Sequence, residues 1–188
     1  MNFREPLGTD ELEGKVKETI AHYLDYLGFD RKDLILSGLS MGTFPALYYG
    51  ASFEPHAIIV GKPLANLGTI ASRGRLASPR VFPTSFDVLK HQTGGVSLNH
   101  MLELDQRFWK VFKQANFSKT TFGLSYMKDE DMDSKAYDQL VKHLCYTGAK
   151  ILSKGTDGRH NDDTDTNVAW FLHFYRMILK SDFGRLDK

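Results

Sequence analysis

The stretch Leu36-Ser37-Gly38-Leu39-Ser40-Met41-Gly42 sets one hydroxyl, Ser40, between two glycines, after an apolar run and before a helical pattern. A serine hydroxyl is a poor nucleophile until a base takes its proton. A sharp strand-to-helix turn exposes it and aims backbone N–H groups at a developing oxyanion. Small residues two before and two after Ser40 are expected to let that turn close. The arrangement requires an acid and then a histidine, in that chain order, each on a loop after a later strand. Lys128-Asp129-Glu130-Asp131 follows a strand pattern ending at Tyr126, and Gly158-Arg159-His160-Asn161 follows another ending near Ser153. Spacing leaves Asp129, Glu130 and Asp131 equivalent as the acid. His22, His143 and His173 fall within helical patterns, His56 precedes a strand, and His91 and His100 flank an irregular region. His160 is therefore the base expected at Ser40.

The elements that must position these groups follow from periodicity. Leu12, Val16, Ile20, Tyr23, Leu24 and Leu27 recur at helical spacing, and Gly28 ends that helix. Leu34 to Ser37 reads as a short buried strand, and Pro45 to Tyr49 as a helix that tolerates proline in its first turn. Ala57 to Val60 is a continuous apolar run stopped by Gly61 and Pro63, as expected of a parallel strand covered on both faces. Met101 to about Asn116 carries a broad apolar helical face, Thr120 to Tyr126 a strand, Ser134 to Thr147 a helix, Ala149 to Ser153 the last strand and Val168 to Leu179 the last helix. Alternating helices and buried strands predict an α/β fold with a mostly parallel sheet flanked by helices. The segment at about 66–95, rich in glycine, proline, serine and threonine, reads as an irregular excursion outside the sheet, suited to a lid or a partner surface. Its Arg73, Arg75 and Arg80 are given no role.

Composition narrows the function classes. A chain of 188 residues with 41% hydrophobic residues can build one domain with a real core. Its 24 basic and 23 acidic residues leave a formal charge of +1, which gives no electrostatic reason to expect nucleic acid. The single cysteine, Cys145, excludes an internal disulfide and is expected to be a buried thiol beside Leu144 and Tyr146. Neither a membrane span nor a signal peptide is legible, so a cytoplasmic chain is expected. Asp162, Asp163, Asp165 and Asn167 resemble a calcium loop, but Val168 stands where the required glycine should be. No cysteine–histidine spacing points to zinc, so neither a metal nor a bound cofactor is expected. Asp165 or Thr164 is expected to cap the last helix.

Three longer stretches carry a resemblance. "DLILSGLSMGTFPALYYGASFEPHAIIVGKPLANLGT", "SYMKDEDMD" and "KGTDGRHNDD" resemble the C-terminal α/β-hydrolase-like domain of the second accessory secretory protein of the accessory Sec system, which exports serine-rich-repeat adhesins in Gram-positive bacteria. The resemblance covers nearly the whole chain. It implies O-acetylation of N-acetylglucosamine on the adhesin, an acetyl donor as cosubstrate, and partners among the other accessory secretory proteins, the motor ATPase and the adhesin itself. It also implies a position at the inner face of the membrane through the export machinery. By position it assigns the nucleophile to Ser40, the acid to Glu130 and the base to His160, with the Met41 N–H as oxyanion donor. Hydrolases of this type carry several strands before the nucleophile turn, whereas one helix precedes Leu34 here, so a C-terminal piece of the full domain is expected. The strand before Ser40 should then present an open edge, and the chain is expected to self-associate or to bind substrate poorly. A hydrolase-fold scaffold that binds secretion partners and a stand-alone small-molecule esterase are the competing expectations.

Overall fold

A computed structural model describes residues 9–77, 85–162 and 164–184. Arg80 and Asp163 lie outside the described residues.

The apolar runs become four parallel strands: β1 (Ile35–Leu39), β2 (Ala57–Gly61), β3 (Thr121–Met127) and β4 (Lys150–Thr156), in the order β1-β2-β3-β4. Ser37 lies opposite Ile59, Ile59 opposite Gly123, and Gly123 opposite Leu152. Every residue of β2 is buried, which is why its sequence shows no alternation. The helices are α1 (Thr9–Leu27), α2 (Thr43–Phe53), α3 (Leu67–Ala77), α4 (Ser85–Thr93), α5 (Leu98–Gln114), α6 (Asp131–Leu144) and α7 (Thr164–Phe183). Thr164 opens α7 and Asp165 stands in its first turn, where a carboxylate meets the positive end of the helix dipole.

The chain divides into two compact units, Met1–Arg31 with Leu67–Arg107, and Lys32–Asn66 with Phe108–Lys188. The second unit contains the sheet. On one face Ile58, Val60, Phe122 and Leu124 pack with Ala46 and Leu47 of α2, Phe108 and Phe112 at the end of α5, and Leu140 and Leu144 of α6. Phe112 and Phe117 meet with ring centroids 4.8 Å apart, and Phe117 meets Phe122 edge-on at 5.1 Å. On the other face Ala57 and Ile59 pack with Phe171, Phe174 and Ile178 of α7. Rings of this size contribute about 2–3 kcal/mol each when fully buried, so this three-layer core is what holds the strand ends in place. Among the described residues β1 pairs only with β2, and its residues are half-buried or exposed where those of β2 are all buried.

In the first unit, the segment read from sequence as irregular is helical through α3 and α4. The misreading has a physical cause: α3 begins Leu67-Gly68-Thr69 and takes its cap from a distant residue. Asp105 of α5 accepts the Gly68 N–H at 2.7 Å, the Thr69 N–H at 3.2 Å and the Thr69 hydroxyl at 2.6 Å. Burial pushes the Asp105 carboxyl above its usual value, and these donors partly offset the shift. Helix α1 closes as expected at Gly28, with Phe29 N–H donating to Leu24 O at 2.9 Å. Its apolar stripe is only partly covered: Leu12, Tyr23 and Leu27 are exposed, while Val16, Ile20 and Leu24 are half-buried.

Cys145 corrects a further expectation. It is the residue after α6 and is exposed, because the inward face of that helix ends at Leu144.

Candidate active site

Strand β1 runs into Ser40, which opens a 3-10 turn over Ser40–Gly42 before α2 begins. Ser40 has φ +50°, in the left-handed region. A residue with a β-carbon held there stores about 1–3 kcal/mol of backbone strain, which the surrounding structure must impose. Gly38 is what permits the bend: a β-carbon at that position would lie 2.0 Å from Gly42 O and 2.9 Å from Thr43 N. Gly42 is different, since a β-carbon there would meet nothing within 4 Å. Of the two framing glycines, only the first is required by sterics. Thr43, fully buried, closes the turn by donating to Ser40 O at 2.7 Å while accepting the Leu64 N–H at 2.8 Å.

His160 lies on the connection between β4 and α7. Its Nε2 is 2.7 Å from Ser40 Oγ, across 120 positions of chain. With the ring proton on Nδ1, Nε2 accepts the serine proton, which is the geometry of a hydroxyl facing its general base. Several long-range bonds shape this loop. Asp129 accepts the Gly158 N–H at 2.7 Å on Oδ2 and donates its own N–H to Gly158 O at 3.2 Å. Lys128 N–H donates to Thr156 O at 2.9 Å, and Asp162 accepts the Arg159 N–H at 3.0 Å. Lys62 donates from Nζ to the carbonyl oxygen of His160 itself.

The acids of the β3–α6 loop separate by environment. Glu130 is half-buried at the N-cap of α6, with extended backbone, and its carbonyl accepts the Ser134 N–H at 2.9 Å and the Ser134 hydroxyl at 3.0 Å. Among the described residues its carboxylate makes no hydrogen bond to His160. Asp129 is spent on the Gly158 amide, and Asp131, the first residue of α6, lies 3.5 Å from Lys135 one turn on. Met41 stands at the crest of the turn, 66% exposed, with its amide in the segment that opens α2. The structure thus brings Ser40 and His160 together, while among the described residues no hydrogen bond joins the Glu130 carboxylate to the imidazole.

Sequence reasoning missed the polar groups behind the pair. Ser125 is fully buried on β3 and donates to Asn167 Oδ1 at 3.0 Å, while Asn167 donates from Nδ2 to Thr156 Oγ1 at 3.4 Å. Asn167, noticed in the sequence only as part of a failed calcium pattern, is a fully buried residue of α7. A β-carbon on Gly61 would meet Ser125 Oγ at 2.9 Å and Asn167 Oδ1 at 3.1 Å, so that glycine makes room for the cluster. The available signal was a lysine directly after a wholly apolar strand, at Gly61-Lys62-Pro63. No group of metal-ligating side chains is present among the described residues.

Parallel strands flanked by helices, with a serine–imidazole pair beyond their carboxyl ends, define an α/β protein with a hydrolase-like fold. Within that class, a family model described as accessory Sec system GspB-transporter matches residues 6–185, and the chain belongs to that family. It is 53% identical over 179 residues to an accessory Sec system protein of Streptococcus gordonii and 44% identical over 181 residues to one of Staphylococcus aureus, matches that take in 95% and 96% of the chain. The chain spans 35% of the length of each of these relatives. Among solved structures it is similar to the Glycosylation Associate Protein (Gap123) complex of Streptococcus agalactiae, with TM-score 0.89, 44% identity, and coverage of 96% of this chain and 35% of that one. It is also similar to a capsule O-acetyltransferase of Neisseria meningitidis serogroup A, with TM-score 0.68 and 19% identity over 94% of this chain and 68% of the other, a likeness of fold.

Proposed function

We propose that this chain carries the acyl-transfer site of an accessory Sec protein, with Ser40 as nucleophile, His160 as base and Glu130 as the acid that orients the imidazole. The observation that carries this reading is the 2.7 Å contact between Ser40 Oγ and His160 Nε2 on a serine held at φ +50°. In the first half-reaction Ser40 Oγ attacks the carbonyl carbon of an acetyl donor and gives its proton to His160 Nε2. The Met41 N–H steadies the oxyanion, and the leaving group departs with the proton from His160. In the second half a sugar hydroxyl gives its proton to His160, attacks the acetyl-serine ester and regenerates Ser40. The acceptor is N-acetylglucosamine on a serine-rich-repeat glycoprotein handled by the accessory Sec route. Support comes from the family match and from a fold shared with a capsule O-acetyltransferase. The similarity to a protein of the Gap123 complex supports partnership with other accessory secretory proteins, and the same reading adds the motor ATPase and the adhesin. No helix among the described residues is long and apolar enough to cross a membrane.

A second reading is a scaffold that keeps the fold and binds secretion partners. It is favoured by one observation: the similarity to a protein of the Gap123 complex. Labelling with a fluorophosphonate serine probe separates the two. Acyl transfer predicts labelling of the parent chain, loss of it in folded Ser40→Ala and His160→Ala, and a drop of about 100-fold or more in Glu130→Gln. A folded parent that stays unlabelled, both as this chain and within a polypeptide of the relatives' full length, supports the scaffold.

A further inference from the structure

Lys62 follows the fully buried strand β2 and brings a charge into the interior. The residue is 4% exposed and has φ +56°, in the left-handed region, immediately before a proline that restricts it further. Its backbone N–H donates to Ser125 O at 2.8 Å, and its ammonium donates to His160 O, 98 positions away. Among the described residues no carboxylate pairs with it. A buried ammonium without a counter-ion is costly, and an apolar side chain would fill the same space more cheaply. Three features that each oppose stability therefore coincide on one side chain, whose one hydrogen-bond acceptor is the main chain of the residue facing Ser40.

We propose that Lys62 is a positioning residue that latches the histidine loop, an inference resting on the acyl-transfer reading. The ends of the loop are held by other means: Thr156 and Asn167, which bracket it, join each other and Ser125 in the buried polar cluster. Its first turn is held by Asp129 at the Gly158 amide. Lys62 grips the main chain at His160. A charged donor makes a stronger bond to a carbonyl than a neutral one, and only a long side chain reaches from the end of β2 to this loop. The latch is conditional: if the loop swings out, the ammonium loses its acceptor while still buried, so the desolvation cost of the charge returns the loop to its closed position. Nε2 is thereby kept within reach of Ser40 during proton transfer, when a displacement of about 1 Å slows reaction about 100-fold.

The test compares Lys62→Met, which keeps length and bulk but removes the donor, with Lys62→Arg, which keeps a cationic donor. Four quantities are measured on each: thermal midpoint, amide hydrogen exchange over residues 157–162, the 15N shifts of the His160 ring, and the saturation kinetics of fluorophosphonate labelling. Lys62→Met is expected to melt no earlier than the parent, to exchange about 10-fold faster within the loop alone, to shift the His160 ring signals, and to lose about 10–100-fold in maximal labelling rate at unchanged half-saturation. Lys62→Arg should recover part of each loss. Parent-like exchange and ring shifts in Lys62→Met overturn the proposal, as does a slower label explained by earlier melting and faster exchange throughout the chain. An unlabelled parent combined with a loosened loop in Lys62→Met leaves the latch standing and removes the acyl-transfer reading instead.

Discussion

The serine turn and the histidine loop meet at one hydrogen bond but are built on opposite principles. Most of what shapes the turn comes from within five residues: Gly38 passes under the Gly42 carbonyl, and Thr43 ties back to Ser40 O, with the Leu64 N–H on Thr43 as a longer link. The loop is shaped by Asp129, Lys62, Asn167 and Ser125, whose partners lie far along the chain or across the sheet. Sterics between near neighbours act whether or not the rest of the molecule is assembled, whereas the loop is in place only once β2, β3, β4 and α7 have packed. Damage to the turn should therefore abolish the site outright, and damage to the loop should degrade it in steps.

The contrast is broken most decisively at Gly38. Gly38→Ala must displace backbone atoms of Gly42 and Thr43, and we expect a loss of about 3 kcal/mol in urea unfolding together with complete loss of fluorophosphonate labelling. Gly42→Ala, into open space at an ordinary helical φ of −69°, should change stability by less than about 1 kcal/mol and keep the label. Equal behaviour of the two variants would mean that the turn is not sterically set. Next in size, Asn167→Ala leaves the buried Ser125 hydroxyl without its acceptor and removes the amide that donates to Thr156 Oγ1, at a cost of about 1–3 kcal/mol, and should raise hydrogen exchange at both ends of the histidine loop while labelling falls but persists. Labelling lost as completely as in Gly38→Ala would erase the distinction between turn and loop. The smallest effect is expected at Asp129→Asn, where the amide oxygen still accepts the Gly158 N–H at an exposed position. Stability within about 0.5 kcal/mol and labelling within about threefold of the parent sharpen the assignment of the acid to Glu130; a loss of about 1000-fold in label would transfer that role to Asp129.

The same contrast explains what could be read in advance. Strand β2 was legible because its residues are continuous and apolar, and β2, β3 and β4 lie where the expected strands lie, with ends displaced by at most three residues. Helices α3 and α4 were not legible, because glycine, serine and threonine lower local propensity and the cap on α3 comes from Asp105 of α5. Cys145 misled for a related reason: its apolar neighbours resemble core, but the face it occupies is decided by where α6 stops. Ser125 and Asn167 carry no local signature, and Lys62 only its place directly after an apolar strand, since a buried polar cluster becomes visible only when the elements that bury it are packed together.

By itself the sequence determined the turn, the apolar strands and the order serine, acid, histidine, because these depend on steric limits within a few residues and on the two-sided burial of a parallel sheet. Tertiary structure decided that His160 meets Ser40 at 2.7 Å, that Asp129 serves the Gly158 amide, and that a buried lysine grips the histidine loop. Those contacts join segments from 29 to 120 residues apart, and pairings at such separations are set by the packing of helices on both faces of the sheet rather than by any local preference of the chain.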